Sequence, residues 1–233
     1  ENLIGLNGKL NPNATLGRTY TRNGETYYMT ADDWQDAAYK TGLRQEYNVS
    51  AKGATDRSSF YLSMGYLNEE GVIDRSNYER ISARIKADYQ AKSWLKLGVN
   101  AQYVNAETKS NPNLSDEMNS TNLMYFTSSI APIYPIYIRM KDADGNVYIK
   151  KDQYGHEAYD YGLPSGYGYS RPFLSTGNPL GSNRYNDVKS GFNQINASAF
   201  ANVIFTDWLK LNVTSTVIYG ISDYSNYQNC FEG

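Results

Sequence analysis

Long apolar runs are missing from this chain of 233 residues. No stretch of about 18 apolar residues occurs, which excludes a transmembrane helix. Cysteine is nearly absent: the single Cys230 cannot make an internal disulfide and reads as an incidental thiol. His156 is the one histidine, which excludes a multi-histidine metal site, and no catalytic constellation stands out around it. Neither charge sign dominates, with 22 Lys and Arg against 24 Asp and Glu. No basic patch points to nucleic acid and no charge block to a solvated tail. The chain opens at Glu1 without a basic-then-apolar leader, and residues 229–233 end in no recognisable cap or closing strand. A mature chain or, preferably, a fragment of a longer protein is expected.

What is present is strict alternation. Ile81, Ala83, Ile85, Ala87 and Tyr89 fall on one face, and Arg80, Ser82, Arg84, Lys86 and Asp88 on the other. A period of two held this long predicts a strand, not a helix, and about ten residues is the length that spans a bilayer when tilted. Two later strands open on the same motif, Trp94-Leu95-Lys96-Leu97 and Trp208-Leu209-Lys210-Leu211, each after an alternating run and a tight turn. One apolar and one polar face along such length is expected of a wall with lipid outside and water inside. The mean hydropathy of -0.63 does not oppose this, because only alternate barrel residues meet lipid. Tyr outnumbers Phe 23 to 7, which suits interfaces where a ring is buried and its hydroxyl stays wet.

The expected fold is all-β: about six antiparallel strands of a transmembrane β-barrel, with long extracellular loops. Residues 1–43 read as an extracellular loop with a short helix over 30–39, capped by Thr30 and ended by Gly42. Residues 44–107 hold four barrel strands in two hairpins. Residues 108–188 form a long loop rich in Tyr, Pro and Gly, with a small hairpin turning at Asp144-Gly145-Asn146. Residues 189–224 are a third barrel hairpin, and 225–233 begin the next loop. Tight turns gather at one end, near 53–57, 90–93 and 206–207, and long connections at the other, the asymmetry of outer-membrane barrels. Trp94 and Trp208 fall at the tight-turn end, where an aromatic girdle belongs. Six strands are too few to close, so either further strands lie outside this chain or the barrel reading fails.

Several stretches resemble one family in order and spacing: Asp33-Trp34-Gln35-Asp36, Thr41 through Ser50, Ser59 through Ile73, Tyr78-Glu79-Arg80-Ile81-Ser82-Ala83-Arg84 and Trp94 through Asn100. Weaker matches are Tyr159-Asp160-Tyr161-Gly162, Arg171-Pro172-Phe173 and Asn178-Pro179-Leu180-Gly181. Together they resemble the SusC/RagA family of TonB-dependent outer-membrane transporters of Bacteroidetes. The resemblance implies a much longer whole protein, with a plug inside a barrel of about 22 strands. It implies import of oligosaccharides or peptides across the outer membrane of a Gram-negative bacterium. A SusD-like surface lipoprotein would cap the barrel, and the TonB complex would drive it through parts not present here. No cofactor and no metal are expected.

Tyr154, Tyr159, Tyr161, Tyr167, Tyr169 and Phe173 form an aromatic run suited to a ligand site, since such faces stack on sugar rings. The competing reading is that they pack the loops together or meet the lid. Arg80, Arg84, Lys86, Asp88 and Lys96 would face the lumen, where cross-strand ion pairs and plug contacts are expected. Asp142-Ala143-Asp144-Gly145-Asn146 is similar to a calcium loop, but Val147 stands where that loop needs Gly and Gln153 where it needs Glu. Two rival folds are a soluble β-sandwich carbohydrate-binding module and a plug-less porin. A sandwich wants bulky, interdigitating inner residues, and Ala83, Ala87, Ala101, Ala197, Ala199 and Ala201 are small for that.

Overall fold

A computed structural model describes residues 4–9, 15–22, 24–111, 121–162 and 171–228. The chain divides into two compact units.

The first unit comprises residues 1–40, 111–187 and 227–233. Its elements are a hairpin of β1 (Thr15–Arg22) and β2 (Glu25–Thr30), the short helix α1 (Trp34–Ala38), α2 (Leu123–Ser129), a hairpin of β7 (Arg139–Lys141) and β8 (Val147–Ile149), and α3 (Pro179–Tyr185). The β1–β2 hairpin stands where the sequence reading has loop. Arg22 lies opposite Glu25, and the Asn-Gly dipeptide between them is a two-residue hairpin signal. The Thr- and Tyr-rich flanks suit strands but lack apolar alternation. The helix α1 is capped by Asp33, not Thr30. The Asp33 carboxylate accepts from the Gln35 and Asp36 N–H groups at 3.1 and 2.9 Å, while Thr30 ends β2. Trp34, Phe126, Ile130, Ile136, Tyr159 and Tyr161 form the core. Trp34 and Phe126 meet at 5.0 Å between ring centroids, and the Trp34 indole donates to the Tyr134 carbonyl at 2.8 Å. That bond satisfies a polar group that burial would otherwise penalise.

The second unit, residues 41–110 and 188–226, is one antiparallel sheet. Its strands are β3 (Arg44–Ala54), β4 (Ser58–Glu70), β5 (Asn77–Lys92), β6 (Leu95–Ser110), β9 (Asp187–Ile204) and β10 (Lys210–Tyr227). Their order is β10-β9-β6-β5-β4-β3, so β3 and β10 are its edges and the sheet is open. Pairing between β3 and β4 and between β4 and β5 runs without a register shift. A single irregularity between Gln90 and Lys92 accompanies the turn into β6. Because register is unbroken across the strand bodies, the alternation in each sequence is stacked into continuous rows.

Candidate membrane-facing and ligand-facing surfaces

The two faces of the six-stranded sheet differ in kind. One row runs Val49, Met64, Ala83, Tyr103, Ile195, and the next Ala51, Leu62, Ile85, Ala101, Ala197. Val49, Met64, Ile85, Tyr103 and Ile195 are exposed, since among the described residues this unit is a single sheet with no second layer. Val213, Val217, Tyr219 and Ile221 on β10 are exposed as well. A contiguous apolar surface of this extent is not left to water in a soluble monomer.

The opposite rows are polar: Ser50, Ser63, Arg84, Gln102, Asn196 is one of them. Arg80, Arg84, Lys86 and Asp88 alternate with the apolar residues of β5 and so share this face. Lys96, opposite Gln90 and Asn202, joins them. Arg84 Nε donates to Asn100 Oδ1 at 3.2 Å across the strands. Lys86 Nζ lies 3.9 Å from Asp88, which also accepts from the Ser59 hydroxyl at 3.2 Å. Asp88 and Lys96 line a cleft with Asp56, Arg57 and Gln90 at the tight-turn end.

Trp94 and Trp208 stand exposed in the β5–β6 and β9–β10 turns. At the other end of the apolar face Tyr47 and Tyr66 are opposite one another, with rings 6.5 Å apart and nearly parallel. The sequence reading did not single out this second aromatic pair. Its signal was the end of apolar alternation: two rows further out the same face carries Asn68, Glu79 and Glu107.

The Tyr-rich run is divided by the fold of the first unit. Tyr159 and Tyr161 are core residues, each 7% exposed, so their rings are not available to a ligand. This corrects their assignment as ligand-binding residues. Burial raises the Tyr159 phenol well above its ordinary range, with Tyr137 beside it acting in the same direction. The reason for their burial lies further along the chain. Gly181 of α3 packs directly on both rings: a methyl there would sit 2.5 Å from the Tyr161 hydroxyl and 2.9 Å from Tyr159. Asn178 caps α3 by accepting from the Gly181 N–H at 3.2 Å, and its Nδ2 donates to the Ile136 and Asp160 carbonyls at 2.9 and 3.1 Å. The Tyr159–Gly162 and Asn178–Gly181 motifs are thus two halves of one packing arrangement.

Tyr154 and Phe173 are exposed but lie in separate bends. Tyr154 neighbours His156 with ring centroids 6.4 Å apart, and His156 Nδ1 is 3.4 Å from the Asp152 carboxylate. Phe173 meets Tyr125 edge-on at 6.5 Å. Tyr167 and Tyr169 lie outside the described residues, as does Cys230.

Other charged groups of this unit are structural in geometry. Asp32 takes Arg139 bidentately at 2.6 and 2.7 Å and also accepts from the Ile136 N–H at 2.7 Å. Lys150 pairs with Glu25, and that hydrogen bond, aided by Tyr27, holds the Glu25 carboxyl below its usual range. Asp142 accepts from the backbone N–H groups of Asp144 and Asn146 and from Asn146 Nδ2. Those bonds, the Asn146 side chain first, hold the Asp142 carboxyl below its usual range. They also commit its lone pairs to the turn rather than to a cation.

Compared with known proteins, no family model matches the chain. It is 33% identical over 66 residues to TonB-dependent receptor P39 of Formosa agariphila, a match covering 28% of this chain and 6% of that protein. It is 28% identical over 78 residues to TonB-dependent receptor SusC of Bacteroides thetaiotaomicron, covering 33% of this chain and 8% of that one. The chain therefore matches less than a tenth of the length of these relatives. Among solved structures it is similar to the RagAB peptide transporter, with a TM-score of 0.63, 22% identity, and 84% of this chain and 20% of that one covered. The same importer in its closed-closed state gives 0.60, 20%, 91% and 21%. By fold the chain carries an open six-stranded antiparallel sheet similar to part of the RagAB structures. It is thus similar in sequence to SusC over part of its length and in fold to part of RagAB.

Proposed function

We propose that the chain is part of a TonB-dependent importer of oligosaccharides or peptides in the outer membrane of a Gram-negative bacterium, working with a SusD-like lipoprotein, and that it is not an enzyme. One observation carries this reading: a six-stranded sheet with exposed apolar rows on one side and charged and amide rows on the other. Lipid on the first face and an aqueous lumen on the second satisfy both. The edges β3 and β10 would then pair with further strands, because unpaired backbone groups are costly in a bilayer.

In this arrangement Trp94 and Trp208 sit at the periplasmic interface, and Tyr47 and Tyr66 at the outer one. Arg80, Arg84, Lys86, Asp88 and Lys96 face the lumen, where they meet one another and the plug. The short turns are periplasmic. Residues 1–43 and 108–188 would be extracellular, and of the aromatic run the exposed Tyr154 and Phe173 would touch a substrate or the lid.

The test is to express the full-length parent in a Gram-negative host, fractionate its membranes, and run the outer-membrane fraction on a gel with and without boiling. A band that shifts on boiling is the expected result and reports a closed barrel. A parent protein that folds and stays soluble without detergent would sink the reading.

A further inference from the structure

The apolar face of the six-stranded sheet gives way to three polar rows that face the same direction. On β6 and β9 its last apolar pair is Tyr103 opposite Ile195. In the first row beyond it Asn105 stands opposite Asn193. Asn105 Nδ2 and the Tyr103 hydroxyl both donate to Asn193 Oδ1, at 2.6 and 3.2 Å. Asn193 Nδ2 and Asn105 Oδ1 keep no partner among the described residues. In the second row Glu79 stands opposite Glu107, and Glu107 opposite Gly191. The Asp223 carboxylate lies across Gly191, in the space a Cβ would take. In the third row Lys109 stands opposite Lys189.

Like charges directly opposite one another on a sheet repel, and this face carries such a pair of each sign in successive rows. Lys109 reaches Glu107 only at 3.9 Å, with side chains 46% and 54% exposed. Glu79 and Lys189 make no ion pair among the described residues. The surface therefore presents amides, then carboxylates, then ammonium groups, in order of distance from the apolar rows. Successive rows are two residues apart, which puts the ammonium pair about 13 Å along the strands beyond the amide pair.

We propose that this wall binds an acylated, phosphorylated amino sugar, the chemistry of an outer-leaflet glycolipid. The proposal rests on the barrel reading above and concerns the outward wall, not the lumen. The acyl chains lie along the apolar rows. Ring hydroxyls and the amide N–H donate to Glu79, Glu107 and Asn105 Oδ1, and the amide carbonyl accepts from Asn193 Nδ2. The phosphate takes Lys109 and Lys189 in charge-assisted hydrogen bonds. The order of the rows selects against a glycerophospholipid. There the phosphate follows directly on the acyl esters, so it would land against Glu79 and Glu107, where like charge repels it.

The experiment uses the full-length parent, purified in detergent, washed free of lipid and shown by its boiling-dependent gel shift to be folded. Bisphosphorylated lipid A, the same lipid A with its phosphates removed, and phosphatidylglycerol are each added in mixed micelles. What the protein retains is quantified by native mass spectrometry. Retention of bisphosphorylated lipid A is expected. It should fall about tenfold or more when the phosphates are removed, or in the Lys109→Gln, Lys189→Gln double variant, as the loss of hydrogen bonds between charged groups implies. The Lys109→Arg, Lys189→Arg double variant should restore most of it. Lys92→Gln, at the tight-turn end of β5, should leave it unchanged. Undiminished retention by the double glutamine variant would overturn the proposal. So would equal retention of the dephosphorylated lipid, an equal loss in Lys92→Gln, or phosphatidylglycerol held as tightly through the same two lysines. Failure of the barrel reading is separate: it shows as a parent without the gel shift.

Discussion

Phe200 lies across Gly98. The two are directly opposite in the β6–β9 pairing, and a methyl on Gly98 would sit 2.2 Å from the Phe200 ring and 2.7 Å from Asp88 Oδ1. The ring covers backbone that glycine leaves bare, a cross-strand device that pins register. Gly98→Ala is expected to cost about 1–3 kcal/mol through overpacking. Most of that cost should vanish in a Phe200→Ala background. Urea midpoints of the parent barrel in lipid vesicles for the two single variants and the double variant measure the coupling; strict additivity would contradict the packing.

Adjacent residues of β9 lie on opposite faces, which gives a sharp contrast. Ala197 sits in the apolar row with Ala101 and Ile85, and Asn196 in the polar row with Gln102 and Arg84. With lipid on the apolar face, Ala197→Arg should destabilise the barrel by about 2–4 kcal/mol, as expected near a bilayer midplane. Asn196→Arg should leave the folded fraction close to that of the parent. The proportion of boiling-sensitive band in the two variants decides it, and equal losses would remove the distinction between the faces.

Asn178 is 1% exposed and makes three hydrogen bonds through its side chain. Asn178→Ala removes a helix cap and one of two donors to each of the Ile136 and Asp160 carbonyls, which keep the Asp160 N–H at 2.9 Å and Arg171 Nη2 at 3.4 Å respectively, a loss of about 1–3 kcal/mol in the first unit. Faster proteolysis within residues 121–162, with an unchanged boiling shift of the barrel, is the expected outcome. Asn178→Asp keeps the cap acceptor but loses both donors, so it should fall close to the alanine variant.

The turn at 142–146 carries a pH dependence whose sign follows from Asp142. Its folded pKa is depressed by the Asn146 side chain and by backbone N–H groups. The stabilisation is therefore complete above the unfolded carboxylate pKa, about 4, and is lost as pH falls through the lower folded value. Hydrogen exchange at the Asn146 amide, corrected for intrinsic rate, should show protection at pH 6 that is lost by strong acid. In Asp142→Ala that protection should be low at both pH values.

The sheet was legible in the sequence because each strand announces itself. The alternation of Ile81 through Tyr89 needs no partner to be read, and unbroken register turns it into a face. The first unit was not legible in the same way. Tyr is ambiguous, since its ring suits a core and its hydroxyl a wet surface, and Tyr159 and Tyr161 are decided by Gly181, some twenty positions later. The β1–β2 hairpin was hidden because Thr and Tyr supply strand propensity without an apolar period. Thr30 and Asp33 are both good caps, and only the fold shows that β2 takes Thr30 first.

The first unit is sewn from pieces that lie far apart along the chain. Trp34 reaches Tyr134 and Asp32 reaches Arg139, separations of 100 and 107 residues. The hairpins coded between them close over short turns, as Ala54 against Ser59 does. Loop closure and contact order both favour short-range pairing early. Trp34 therefore waits, its ring without a partner, until α2 and the segment after it have arrived. An assembly arrested before that point would carry finished hairpins and an open aromatic core, a form that proteases and chaperones could tell from the completed one.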